Sequence, residues 1–137
     1  IALENVYEPN PDWIERLLEA LPPDRVGFCF DTGHFNAFAG SPLETWLDRL
    51  GPRLIEIHLH DNRGARDEHL PVGEGTFPFE RLFAFIRERG LRPILTVEAH
   101  TELNLSKALE NIRNRGYLEG LGATGRPPLQ TSAAGRD

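Results

Sequence analysis

The segment HLHDNRGARDEH, His58 to His69, holds three of the chain's five histidines, with Asp61, Asp67 and Glu68 among them. Imidazoles beside carboxylates bind divalent metals or move protons. Asp67 and His69, at i and i+2 in "DEH", can reach one ion from an extended segment. A solvated loop carrying a supporting pair is the plainer alternative. A second cluster is "DTGH", with Asp31 and His34 three residues apart and Gly33 expected to allow a tight turn between them. His34 there can bind a metal or hydrogen-bond a substrate hydroxyl. His60 is expected to support neighbouring ligands, and His100 to sit on a surface loop.

The strand-like runs carry a wider pattern. Side chains alternate across a strand. In "RLIEIHLHD" Ile55, Ile57 and Leu59 are expected on one face, and Glu56, His58 and His60 on the other. In "ILTVEAH" Leu95 and Val97 alternate with Thr96 and Glu98. Asp31 closes "GFCF", and Glu4 follows "IAL". Each run therefore offers one ionisable residue near its C-terminal end: Glu4, Asp31, His58 and Glu98, at intervals of 27, 27 and 40 residues. Three carboxylates converging without a cation would repel one another and resist ionisation, and no lysine is near them in sequence. A divalent cation, Mn²⁺, Mg²⁺, Co²⁺ or Zn²⁺, resolves that conflict. A hydrogen-bonded strand residue or an N-cap is the bland reading of each residue alone. Four at matching strand ends make the metal reading the stronger one.

The elements that must position these residues alternate regularly. "IALENVY" reads as a strand and "PDWIERLLEAL" as a helix, with Asn10 as N-cap and Pro11 at its first position. "RVGFCFDTGH" is a strand, and Cys29 within it reads as a buried strand residue. "SPLETWLDRLG" is a helix with a Ser41/Glu44 capping-box pattern and a terminating Gly51. "RLIEIHLHD" is a strand, followed by a long polar loop to Phe77. "PFERLFAFIRERG" is a helix, "RPILTVEAH" a strand and "NLSKALENIRNRG" a helix. Four strand-helix units with no hairpin signal predict an α/β fold of parallel strands. Four units are half of an eight-unit TIM-type barrel, which typically takes about 250 residues. A flat α/β sheet is the structural alternative. No glycine-rich phosphate loop follows the first strand, which counts against nucleotide binding. Residues 1–120 are expected to form the half barrel, and the tail 121–137 to be disordered.

With 137 residues and a net charge of −6, the chain fits one globular domain and carries no basic footprint for nucleic acid or an anionic membrane. A local basic groove on an acidic protein keeps nucleic acid as the lesser alternative. No apolar run approaches membrane-spanning length. The single cysteine forbids an internal disulfide, so a reducing, cytoplasmic location is expected. The sequence contains no methionine and starts inside a strand-like run, so we expect a piece of a longer chain. Arg63 and Arg66 are the loop's candidates for an anionic group such as a phosphate, although a solvated loop arginine is the simpler reading of each.

"LENVYE", "FDTGH", "IHLHDNRGARDEHLPVGEGTFPF" and "LTVEAH" together resemble the xylose isomerase-like barrel superfamily, from about Ile1 to Gly116. This group contains sugar-phosphate isomerases and epimerases, and also endonuclease IV-type repair enzymes. In the epimerases the resemblance implies metal ligands at Glu4, Asp31, His58 and Glu98, with His34 contacting substrate. Glu4 and Glu98 would then be the catalytic acid and base, acting through a metal-stabilised ene-diolate. A hydride shift is the superfamily's other route. In the repair enzymes the resemblance implies three zinc ions, with further ligands at His34, Asp67 and His69, acting on abasic DNA. Both branches also use N-terminal strands, so the resemblance implies that this chain corresponds to the C-terminal half of an enzyme and is expected to need the other half for turnover. The partners expected are a small sugar, the other half of the barrel and a possible second copy of the chain. A non-catalytic binding or assembly module is the third reading.

Overall fold

Runs of branched and aromatic residues become the strands, and segments with apolar residues at helical spacing become the helices. In the computed structural model, which describes residues 1–121, β1 (Ala2–Glu4) leads to α1 (Asp12–Ala20). β2 (Gly27–Asp31) leads to α2 (Thr32–Phe38) and α3 (Leu43–Leu50). β3 (Leu54–Leu59) leads to α4 (Phe79–Glu88), and β4 (Ile94–Val97) to α5 (Glu102–Asn114). The tail expectation falls, from residue 122 onward, outside the described residues.

The strands lie in the order β1-β2-β3-β4 and pair in parallel throughout. Sequential order with right-handed crossovers puts the helices on one face and leaves the other open. That is an arc of a (β/α) barrel, whereas a doubly wound flat sheet reverses its strand order at a switch point. Four strands of this order make the expected half barrel. The core is the helix-covered face. Phe28 and Phe30 of β2 and Ile57 and Leu59 of β3 join one buried cluster with Trp46, Leu50, Leu82, Phe83 and Ile86 from α3 and α4. Each such side chain contributes roughly 1.5–3 kcal/mol when fully buried.

Local details depart from the sequence reading at several places. At α1 the N-cap is Pro11, not Asn10, and it makes no side-chain cap bond. α2 is not signalled by the sequence, because "TGHFNAF" combines glycine, threonine and aromatics, all modest helix formers. It forms because the Asp31 side chain caps it, accepting from the His34 amide at 2.7 Å. The Ser41/Glu44 capping box is not made. The Ser41 hydroxyl instead donates to the Pro9 carbonyl and accepts from Trp46 Nε1 at 2.8 Å, tying α3 to the loop after β1. Gly51 does end α3, but in right-handed backbone; a Cβ there would meet the Phe85 ring at 2.9 Å, so close packing selects glycine. Finally, the β2–β3 register shifts. Phe28 pairs with Leu54 and Cys29 with Glu56, which leaves Ile55 as an extra residue. Ile55 packs against Gly27 and stays out of the core cluster that holds Leu54, Ile57 and Leu59.

Candidate metal centre

Beyond the irregularity the alternation holds, so β3 sends Ile57 and Leu59 into the core and His58 to the open face. His58 is the hub. Its Nδ1 lies 3.1 Å from Glu98 Oε1, 3.6 Å from Asp31 Oδ2 and 3.7 Å from Glu4 Oε2. The four strand-end residues are thus brought together around one ring nitrogen. Among the described residues, the ligand atoms of Asp31, His58 and Glu98 converge within 4.8 Å, and so do those of Glu4, Cys29 and His58. Cys29 shares the inward face with Asp31, two residues on. That parity is readable in the sequence, but the sequence reading places Cys29 simply as a buried strand residue. Burial, with Glu4, Glu56 and Asp31 nearby, pushes its thiol up.

Asp31 is the fixed point. Its side chain is fully buried, and both oxygens face His60 Nε2, at 2.9 and 3.1 Å. Its backbone is clasped by Asn5, whose side chain donates to the Asp31 carbonyl at 3.0 Å and accepts from its amide at 2.9 Å. Burial alone would raise the Asp31 carboxyl. The hydrogen bond and charge of His60, with the His34 amide and ring, together outweigh burial and hold the carboxyl below the usual carboxylate range. Burial works against the charged form of His60 too, but Asp31, then Asp67 and Glu98, lift its imidazole above the ordinary value. His60 therefore holds Asp31 in place. Gly33 serves this contact and makes no special turn: its φ is not positive, and a Cβ there would stand 2.1 Å from His60 Cε1. Burial also raises the Glu4 carboxyl, with His58 opposing it.

The loop after β3 is held from inside. Both oxygens of the buried Asp61 accept backbone amides: Asn62 and Phe77 at one, Gly73 and Gly75 at the other, all within 3.1 Å. Gly75 is required, because a Cβ would fall 2.2 Å from the Asn62 carbonyl oxygen. So clamped, the loop delivers Asp67 and His69 to the site. Asp67 Oδ2 lies 3.1 Å from His69 Nε2 and 3.5 Å from His34 Nε2. His69 adopts a left-handed φ of 50° and stacks on His60 with ring centres 3.9 Å apart. Burial and the neighbouring His60 lower its imidazole. His100 stacks on the outer side of His69 at 4.2 Å; it is exposed, as expected, but nothing in the sequence signals its contact. His34 Nδ1 lies 3.1 Å from Glu4 Oε1 and 3.0 Å from the Asn5 carbonyl. Arg63 and Arg66 stand apart from this cluster, exposed at the rim and paired with Glu68.

The donor set suits a divalent cation. His58 Nδ1, His60 Nδ1, His69 Nδ1 and Asp67 Oδ1 are buried without a hydrogen-bond partner. Such atoms are costly unless something ligates them. A cavity of about 470 Å³ at the opposite strand ends is lined by Val26, Gly27, Leu54 and Ile55 and gathers no comparable groups.

A parallel sheet of sequential order, with ionisable groups gathered at the C-terminal strand ends, defines the working face of a (β/α) barrel. The chain belongs to the xylose isomerase-like TIM barrel family, whose model matches residues 1–121. The uncharacterized protein MJ1311 of Methanocaldococcus jannaschii is 32% identical over 129 residues, covering 87% of this chain and 42% of its own length. The fructoselysine 3-epimerase of Escherichia coli O157:H7 is 36% identical over 78 residues, 53% of this chain and 28% of that protein. "Probable endonuclease 4" of Mycobacterium ulcerans is 34% identical over 91 residues, 61% and 36% respectively. Among solved structures, a D-tagatose 3-epimerase-like protein superposes with a TM-score of 0.74 at 30% identity, over 87% of this chain and 46% of that one. A Thermus thermophilus protein, TTHB071, soaked with zinc chloride, gives 0.65 at 31% identity, over 90% and 46%. The chain therefore spans less than half the length of each of these relatives. Among the described residues no helix is long and apolar enough to cross a membrane.

Proposed function

We propose that the chain supplies the metal-binding half of a divalent-metal-dependent isomerase or epimerase acting on a sugar or related polyol. The observation that carries this reading is the convergence of Glu98, Asp31 and Glu4 on His58 Nδ1. Those four residues would hold the ion, Mn²⁺, Mg²⁺, Co²⁺ or Zn²⁺. When bound, it polarises a substrate carbonyl and offsets the negative charge that develops on oxygen.

The side chains divide the remaining work by their exposure. Asp31 is fully buried, so it holds position and charge without touching substrate. Glu4 and Glu98 are each 32% exposed, and they are the carboxylates that can exchange a proton with substrate. Loss of the proton beside the carbonyl gives an ene-diolate. Its return to the opposite face of the same carbon inverts that centre; its return to the neighbouring carbon isomerises the sugar. His34 lines the same space and is the candidate partner for a substrate hydroxyl. Arg63 and Arg66 would take a phosphate only by exchanging it for Glu68. The remaining strands of a complete barrel would close the pocket. The similarity to the fructoselysine 3-epimerase and the D-tagatose 3-epimerase-like protein supports this reading.

A second reading is a zinc phosphodiesterase acting on abasic DNA. It is favoured by Asp67 standing between His69 and His34, and by the similarity to "Probable endonuclease 4". Metal analysis of the protein purified without added metal separates the two. About one manganese, cobalt or magnesium per chain is expected for the isomerase, and about three zinc ions would support the nuclease instead.

A further inference from the structure

Glu56 belongs to none of the groups of described residues whose ligand atoms converge within 4.8 Å, yet it faces the hub of the site. It lies two residues before His58 on β3 and so shares its face. Its Oε1 stands 3.5 Å from His58 Nε2, the ring nitrogen turned away from Glu4, Asp31 and Glu98. The same oxygen accepts a hydrogen bond from Thr96 Oγ1 at 2.9 Å, and the β3–β4 register sets Thr96 beside His58. A carboxylate fixed by a neighbouring strand therefore backs the imidazole.

We infer that Glu56, held by Thr96, is a positioning residue that receives the Nε2–H of His58 and so keeps Nδ1 presented to the ion. A ligating imidazole must carry its proton on the nitrogen away from the metal. A carboxylate at that nitrogen fixes the ring and raises its basicity as a ligand. At 3.5 Å the pair is within charge attraction, and a shift of a few tenths of an ångström makes a hydrogen bond. Glu56 is 28% exposed on the open face, so its substitution leaves the apolar core intact. The inference rests on the reading of His58 as a metal ligand.

The test is Zn²⁺ affinity of the protein, measured by competition with a chromophoric chelator, together with the His58 Nε2–H proton resonance in the Zn²⁺-loaded form. Glu56→Ala should weaken Zn²⁺ by about 10–100-fold, move that resonance upfield and speed its exchange with water. Thr96→Val should do the same to a smaller degree, while Thr96→Ser, which keeps the hydroxyl, should behave as wild type. If Glu56→Ala and Thr96→Val bind Zn²⁺ within about twofold of wild type and leave the resonance in place, the positioning role is wrong and the metal site stands. If the wild-type protein binds no divalent metal, the metal reading falls and takes this role with it.

Discussion

Where the helices cover the sheet, Phe28, Phe30, Ile57 and Leu59 lie in one apolar cluster. On the opposite face of the same strands stand Glu4, Asp31, Glu56, His58 and Thr96. Of the five buried polar side-chain atoms without a partner among the described residues, four belong to that open-face site. They lie 3.1–3.8 Å from carboxylate or imidazole atoms of the same cluster without hydrogen-bond geometry, so this face adds little apolar burial and the covered face must supply it. One strand carries both roles by alternation, so a stability defect and an activity defect can be one residue apart.

Four substitutions can break or sharpen this division. In the complete barrel that the proposed function requires, Glu98→Gln should have the largest effect: turnover falling by about 10²–10⁴-fold with little change in the urea midpoint. Retained activity would remove Glu98 from the proton-transfer role. Ile57→Ala, one residue before His58, should do the reverse, costing about 2–5 kcal/mol in urea unfolding, while the folded fraction keeps its metal affinity. If that affinity fell as well, the two faces would not be separable. Gly33→Ala should cost both faces at once. In an ordinary helix interior alanine is worth about 1 kcal/mol over glycine; here the Cβ would collide with the buried His60 ring. We expect a loss of about 1–3 kcal/mol together with weaker metal binding as His60 leaves Asp31. A stabilised variant would show that the ring can yield. Thr101→Ala should be the mildest. Its hydroxyl caps α5 by accepting from Asn104 at 3.1 Å, so thermal unfolding should report a loss of about 1 kcal/mol with activity unchanged.

The residues legible in the sequence are those governed by strand alternation and by the period of the strand-helix unit. Glu4, Asp31, His58 and Glu98 follow from parity and from parallel strands sharing one end. Asp67 and His69 are candidates from their spacing, and the family resemblance adds the roles. Other features depend on neighbours distant in sequence. Ile55 leaves its expected face because pairing slips against β2, a property of two strands together. The Asp31–His60 bond spans 29 residues, so His60 is readable as a supporter while its partner is not. α2 contradicts its own propensities because Asp31 caps it. Ser41 makes no cap because its hydroxyl is taken by the Pro9 carbonyl and the Trp46 side chain. The stacking of His100 on His69 arises between two loops, where no periodicity operates.

The clamp made by Asp61 separates what holds the loop from what the loop presents. One carboxylate secures both ends of the loop, at Asn62 on the way out and at Gly73, Gly75 and Phe77 on the way back. The residues between, 63 to 72, leave and return through one buried side chain, and Asp67 and His69 are presented from between those anchors. Under the proposed function, a change at Asp67 or His69 would alter the groups offered to the open face without touching the buried carboxylate that holds the loop.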